Sequence, residues 1–333
     1  MHIPVLLKET IELLDPKPGE FFIDGTFGAG GHSTKILEKI QPGGKLLGVD
    51  LDEDNLKKAE LKILTNFKSQ IPNIKDVLTL VHGNYADLPE IMKAKKLPKA
   101  DALLLDLGFS SEQMDSPVGG PGRAPNQSRE LGTGRGFSFL RNEKLDMRYD
   151  VSEGETAAEI INSYPEKDLA DIFWKYGEER FSRIAARRIV EARRLKKILT
   201  SKDLADVVEQ AIPRRRGKIW SKIHPATRIF QALRIYVNRE LENLEKVLNS
   251  LDQIVKGRTK GPARNASYSD AGGRVAIISF HSLEDRMVKI RFRELQKEQK
   301  AEILTKKPVI PTDEEVLNNP RSRSAKMRAI KLI

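Results

Sequence analysis

The sequence predicts an α/β protein, Rossmann-like, with a mostly parallel sheet covered on both faces and interrupted by an inserted helical domain. Three observations lead there. Short apolar runs alternate with amphipathic helical stretches over the first hundred residues, the pattern of successive βα units. Those runs end in acid, at Asp24, Asp50 and Asp106. After Asp106 the rhythm breaks, and strand character returns only with "RVAIISF" at 274–280.

Taken in order, "EFFID" is a first strand ending at Asp24, and the turn "GTFGAGG" leads into the helical "STKILEKI", where Ser33 suits an N-cap. "GKLLGVD" is a second strand ending at Asp50, "DVLTLVHG" a third, and "DALLLD" a fourth ending at Asp106. Each run is too continuous for a half-exposed strand, so both faces of the sheet are covered. Residues 115–136 are rich in Gly, Pro and Arg without periodicity and read as a loop. From about 155 to 211 the pattern is helical, with Ile184, Ile189, Ala192, Leu195 and Leu199 as its apolar stripe beside Arg183, Arg187 and Arg194. After "HPATR", Pro225 suits a first turn, and Ile229, Leu233, Val237, Leu241, Leu244, Leu248 and Leu251 predict one long helix. "AKMRAIKLI" reads as a last edge strand. The expected division is therefore a sheet domain in two parts, 1–114 and 223–333, around a helical insertion at 115–222.

Bulk composition narrows the chemistry. The chain contains no cysteine, which excludes disulfides, thiolate metal sites and cysteine nucleophiles together. Formal net charge is +11, and residues 181–222 hold 13 Lys and Arg against 4 acids, which points to a polyanion as partner. No stretch approaches the roughly 20 apolar residues of a membrane span, and "MHIPVLLKET" lacks the regions of a signal peptide, so a cytoplasmic location without membrane contact is expected.

In an open parallel sheet, ligands gather beyond the C-terminal ends of the strands, where the three aspartates stand. Gly28, Gly30 and Gly31 let backbone approach a ligand closely, and Asp50, 22 residues after Gly28, is placed for ribose hydroxyls. The turn is GxGG rather than the GxGxxG of a pyrophosphate site. Acid beside it also suits a sulfonium and an amino group better than two phosphates. The residues thus favour S-adenosylmethionine over a nicotinamide dinucleotide.

"DLGFSSEQMD" follows the fourth strand, and its Ser110, Ser111 and Gln113 can hydrogen-bond a base edge. "ISFHSLEDR" puts His281, Ser282, Glu284, Asp285 and Arg286 just past the fifth strand. One histidine with adjacent acids does not converge as a metal site usually requires, so no metal is expected. "LDMRYD" and "HPATRIFQALR" add Asp146, Arg148, His224 and Arg228; for His224, packing at a helix start competes with a substrate role.

Taken together, "HIPVLLKET", "DGTFGAGGHS", "DLGFSSEQMD", "RGFSF", "LDMRYD", "YGEERFSRIAARRIV", "HPATRIFQALRIYVNREL", "ISFHSLEDRMVK" and "NPRSRSAKMR" resemble the MraW/RsmH family of small-subunit ribosomal RNA cytosine-N4 methyltransferases, in the family's order from residue 2 to about 330. The resemblance implies a class I S-adenosylmethionine-dependent fold, with Gly30, Gly31, His32, Asp50, Tyr85, Asp106 and Gln113 holding the cofactor. It implies as partner 16S rRNA within the small ribosomal subunit, methylated at a cytidine of the decoding region; a homodimer is compatible with it. The loops at 115–136 and 257–273 look longer than the family's.

The missing cysteine independently disfavours methylation at cytosine C5, which needs a thiolate, and leaves the exocyclic N4 open. Asp106, Ser110, Asp146, His281 and Ser282 are the candidates for base contact or proton acceptance. Arg148, Arg187, Arg194, Arg214, Arg215, Arg216, His224 and Arg228 are the candidates for contact with RNA. The competing expectations are a noncatalytic RNA-binding assembly factor that keeps the pocket and, less favoured, a nicotinamide dehydrogenase.

Overall fold

The computed structural model describes residues 3–67, 71, 73–108, 134–212, 224–257 and 272–333. These form two compact units, one of residues 1–108 and 241–333, the other of residues 109–240.

The first unit is built on a seven-stranded sheet of order β3-β2-β1-β4-β5-β7-β6. Its strands are β1 (Phe21–Asp24), β2 (Lys45–Asp50), β3 (Leu78–His82), β4 (Ala102–Asp106), β5 (Arg274–Ser279), β6 (Ala301–Ile303) and β7 (Lys326–Leu332). The first five are parallel, and β7 lies antiparallel to both β5 and β6. Phe22, Leu46, Leu104 and Ala276 point to one face; Ile23, Leu47, Leu103 and Ile277 point to the other. Both faces are covered, so the runs need no polar alternation. On the first face lie α1 (Leu7–Leu14), α2 (Gly31–Ile40) and α3 (Glu53–Phe67). On the second lie α5 (Leu88–Ala94), which follows the short α4 (Ile74–Val77), and residues of later helices.

The C-terminal strand is not an edge. It sits between β5 and β6, and the three-residue β6 forms that side of the sheet. A short outer strand leaves few unpaired backbone groups for another chain to add to.

In the second unit, α6 (Ala157–Ser163), α7 (Glu166–Gly177), α8 (Ser182–Leu195), α9 (Ser201–Ala211) and α10 (Ala226–Val237) pack together. A Cβ on Gly177 would overlap the Arg228 carbonyl, so glycine lets α7 and α10 approach closely. This packing corrects two expectations. The helix after Pro225 packs with the insertion's helices, where the sequence placed it in the second part of the sheet domain. That helix is also not continuous: it stops at Val237 and restarts as α11 (Glu240–Asn249), then α12 (Leu251–Ile254).

The break has a cause. The Asn238 amide donates to the carbonyls of Met147 (2.8 Å) and Arg234 (2.9 Å) and accepts from the Tyr149 N–H (2.7 Å), while Arg239 takes a left-handed φ of 50°. The ladder itself makes its last i→i−4 bond at the Asn238 N–H, to Arg234, and the side-chain bonds hold the chain as it leaves the helix.

The stripe expected on α8 is corrected as well. Ala185, Ala186, Ile189 and Val190 are buried, whereas Ile184, Leu195 and Leu199 are exposed, Leu195 at 92%. The buried face combines small residues (Ser182, Ala185, Ala186) with Ile189 and Val190, and small residues suit close helix contact more than a wide apolar stripe does.

Gly48, mid-strand in β2, has the Phe27 ring lying where a Cβ would stand. Gly48→Ala must push that ring and its turn aside, and it should destabilise the chain by about 1–3 kcal/mol in urea unfolding. An unchanged midpoint would show that Phe27 can move freely.

Candidate functional site

The turn after β1 is tied to the strands on both sides. Gly25 donates to the Leu104 carbonyl (3.0 Å) and Phe27 to that of Val49 (2.9 Å), while the Asp106 N–H donates to the Thr26 hydroxyl (2.6 Å). Gly28 (φ 50°) and Gly30 (φ 72°) take left-handed conformations that a side chain would resist. Gly30 is the N-cap of α2, which begins at Gly31. Ser33 is therefore not the cap: it lies inside the first turn, buried, and donates to Asp24 (2.6 Å).

Each strand-end carboxylate is held mainly by neutral donors. Asp24 accepts from Ser33 and from the Thr26 N–H (3.2 Å). Asp50 accepts from the N–H groups of Gly28 (2.6 Å) and Asp52 (2.8 Å). A carboxylate offers about four lone-pair sites, so Asp50 keeps capacity for hydroxyl donors such as those of a ribose. Among the described residues Asp106 receives only a long bond from the Gly108 N–H (3.4 Å), with His32 Nδ1 3.7 Å away.

Burial pushes Asp24 and Asp50 up to about 6 and Asp106 up to about 7, the last aided by the nearby charge of Glu284. Burial lowers the pKa of His32. Its Nε2 lies 2.9 Å from the Val5 carbonyl, which can only accept, so Nε2 carries the proton and Nδ1 faces Asp106 as a lone pair.

The strand ends thus bring together acid, bare backbone and a neutral imidazole. A cation set against Asp106 would meet a half-buried carboxylate that has no counter-charge among the described residues, and this fits a sulfonium with an ammonium group. Tyr85 opens a 3-10 turn over Gly25, half-buried at the end of β1.

His281 and Ser282 stand at the end of β5, next to β4. His281 is the N-cap of α13 (Ser282–Lys297): its Nδ1 accepts from the Glu284 N–H (3.4 Å), and Glu284 accepts from the N–H groups of Phe280 (2.9 Å) and His281 (3.3 Å). Glu284 also lies 3.1 Å from His281 Nε2. The geometry gives His281 a structural task that its sequence context did not announce. An H-x-x-E spacing before a helix whose Val288, Phe292 and Leu295 face the core is the signal that was there to read.

The remaining candidates belong to the second unit. Arg148 grips Asp146 with two bonds (2.8 and 2.9 Å); burial raises the Asp146 carboxyl, but the guanidinium outweighs it and holds the group below its ordinary range. His224 accepts at Nδ1 from the Ala226 N–H (3.2 Å), lies 2.8 Å from Glu209 and stacks on Phe139, which is the packing alternative. Arg228 donates to the Glu178 carbonyl (3.0 Å). Arg187 and Arg194 are exposed on α8, Arg187 3.8 Å from Glu166. Ser110, Gln113, Arg214, Arg215 and Arg216 lie outside the described residues. Thr26 is a participant that composition and spacing did not single out, and Ser33 and Glu284, noted in the sequence, serve Asp24 and the start of α13 instead of the roles expected of them.

The buried aspartates set a pH dependence. Between about 3.8, the unfolded value, and the folded values near 6 to 7, the folded chain binds more protons than the unfolded one, so their contribution lowers stability as pH rises through that window. Asp106→Asn should therefore be more stable than the wild type at pH 8, by on the order of 1–4 kcal/mol, and about equal to it at pH 5. A variant less stable at pH 8 in urea unfolding would contradict the buried, unneutralised carboxylate.

The model of the MraW methylase family matches residues 1–333. A "Ribosomal RNA small subunit methyltransferase H" of Thermotoga neapolitana is 42% identical over 338 residues, covering 100% of this chain and 96% of its own length. The protein of that name from Syntrophotalea carbinolica is 39% identical over 345 residues, covering 99% and 97%. Among solved structures, an rRNA methylase from Streptococcus thermophilus is 10% identical, with a TM-score of 0.40 and 100% and 99% of the two chains covered. Matched by one family model along its whole length, and by relatives over nearly all of theirs, the chain belongs to the MraW methylase family of methyltransferases.

Proposed function

We propose that this chain methylates the exocyclic N4 of one cytidine in small-subunit ribosomal RNA, in the decoding region of 16S rRNA, with S-adenosylmethionine as methyl donor. The methyltransferase activity and the cofactor follow from the family; the base, the atom and the substrate are our reading. The observation that carries it is Asp106, a half-buried carboxylate at the end of β4 without a counter-charge among the described residues, beside a turn whose glycines expose backbone. The names of the relatives support ribosomal RNA as substrate. The lack of any cysteine supports N4 over C5.

When bound, the cofactor supplies a methyl group made electrophilic by its sulfonium. Asp50 would hold the ribose hydroxyls, and the Gly28–Gly31 backbone and Asp106 the cationic end. Above a pH near 7 Asp106 is ionised and can both hold positive charge and accept a proton at its carboxylate oxygen; below it the group is neutral. His32 Nδ1, unprotonated and 3.7 Å from that oxygen, keeps the neighbourhood free of a competing charge. The target base must leave its stack to reach this depth, which suits a structured RNA whose cytidine is already exposed. Exposed Arg187 and Arg194 support phosphate contact by the second unit, of a salt-dependent and sequence-independent kind.

The decisive experiment treats unmethylated small subunits with the protein and S-adenosylmethionine, then digests the RNA and analyses its nucleosides by mass spectrometry. N4-methylcytidine at a single site is the expected product; methyl groups on another atom, or none, would overturn the reading. Asp106→Asn should reduce turnover by on the order of 10² or more, as removal of one preorganised electrostatic group does.

A further inference from the structure

A second basic feature lies away from the strand ends, where α13 crosses the side of the sheet formed by β6 and β7. A cavity of about 250 Å³ opens there, lined by Lys289, Arg293 and Gln296 of α13, by Thr305 and Lys306 after β6, and by Arg328 of β7. No acidic side chain lines it. Positions 289, 293 and 296 follow i, i+4, i+7 and so share one helix face.

The charges are arranged in two ranks. Arg328 is buried and committed: its guanidinium donates to both oxygens of Asp285 (2.6 and 3.2 Å). Lys289, Arg293 and Lys306 form no ion pair among the described residues, although acid is plentiful elsewhere on the surface. Some exposed lysines of this unit do find partners, as Lys8 does with Glu12 and Lys35 with Glu38. Three like charges around one hollow repel one another unless an anion sits among them.

The geometry points to a site for a phosphate group in this cavity, with Lys289, Arg293 and Lys306 neutralising it and the Gln296 amide beside them as a neutral donor. The volume is below the roughly 300–1,000 Å³ of pockets that engulf a drug-sized ligand, so a phosphate with part of its sugar fits better than a whole cofactor. Phosphate of this kind can come from the RNA backbone or from a free phosphorylated molecule. The first source rests on the RNA substrate proposed above; the second does not.

The test uses the full chain and two probes at fixed salt: inorganic phosphate by calorimetry and a labelled short single-stranded RNA by fluorescence anisotropy. The charge-reversal variant K289E/K306E should lose at least tenfold in affinity for one or both probes, and the control K8E/K35E should not. Loss for RNA alone identifies backbone phosphate, and loss for phosphate identifies a free ligand or both sources. Unchanged affinity for both probes, or an equal loss in the control, overturns the site. Should the reversal variant melt early, the milder K289Q/R293Q repeats the comparison with the same expected direction. Affinity for S-adenosylmethionine should stay at the wild-type value, so failure of this site and failure of the methylation reading are told apart.

Discussion

Everything at the strand ends depends on how three carboxylates are shielded, Asp24 fully and Asp50 and Asp106 in part. The folded chain offers Asp24 a hydroxyl and an N–H, Asp50 two N–H groups and Asp106 little more than one long bond. Neutral donors hold such groups in place without cancelling their charge, so negative potential remains focused in the crevice. The turn of Gly28 and Gly30 inherits its shape from the same bonds, because Asp50 anchors Gly28 and Thr26 anchors Asp106. A site that must receive a cation is better left under-neutralised than braced by lysine or arginine, and the chain accepts lower stability there in exchange for affinity.

The core of this architecture was legible because the central strands are continuous apolar runs, three of them (β1, β2 and β4) ended by an aspartate, and both faces of the sheet are covered. Strands β1 to β5 and the turn at Gly28 through Gly31 follow from local pattern alone. What local pattern could not convey was partnership at a distance. β7 reads as an edge from its own residues, and only its pairing with the three-residue β6 makes it interior. The run from Ile229 to Leu251 keeps helical spacing throughout, yet Asn238 ends the first helix through bonds to Met147 and Tyr149, some ninety positions earlier. His281 looked like chemistry because histidine beside acid usually invites that reading; its ring instead caps α13.

The second unit shows how recurrent polar residues can be scaffolding. Arg234 forms two bonds to Glu240 (2.8 and 3.0 Å), and the Tyr149 hydroxyl donates to the same carboxylate (3.1 Å). Arg135 donates to the carbonyls of Arg148 and Tyr149, and Met147, fully buried, holds a left-handed φ of 64°. The segments "RGFSF", "LDMRYD" and "RIYVNREL" are thus parts of one polar knot. Charged pairs of this kind, little exposed and bidentate, lend uniqueness of arrangement more than net stability.

The pairing of β4 with β5 joins Asp106 to Ile278, 172 positions apart, whereas β1 meets β4 across 80, from Asp24 to Leu104. Closing the longer loop adds only about 0.7 kcal/mol of chain entropy, since that penalty grows with the logarithm of length. The larger effect is on time: parallel pairing between distant segments forms slowly. While the ribosome is still delivering the segment that becomes β5, Leu103, Leu104 and Leu105 of β4 face water along an unzipped border, and a nascent chain in that condition is a natural client for chaperones.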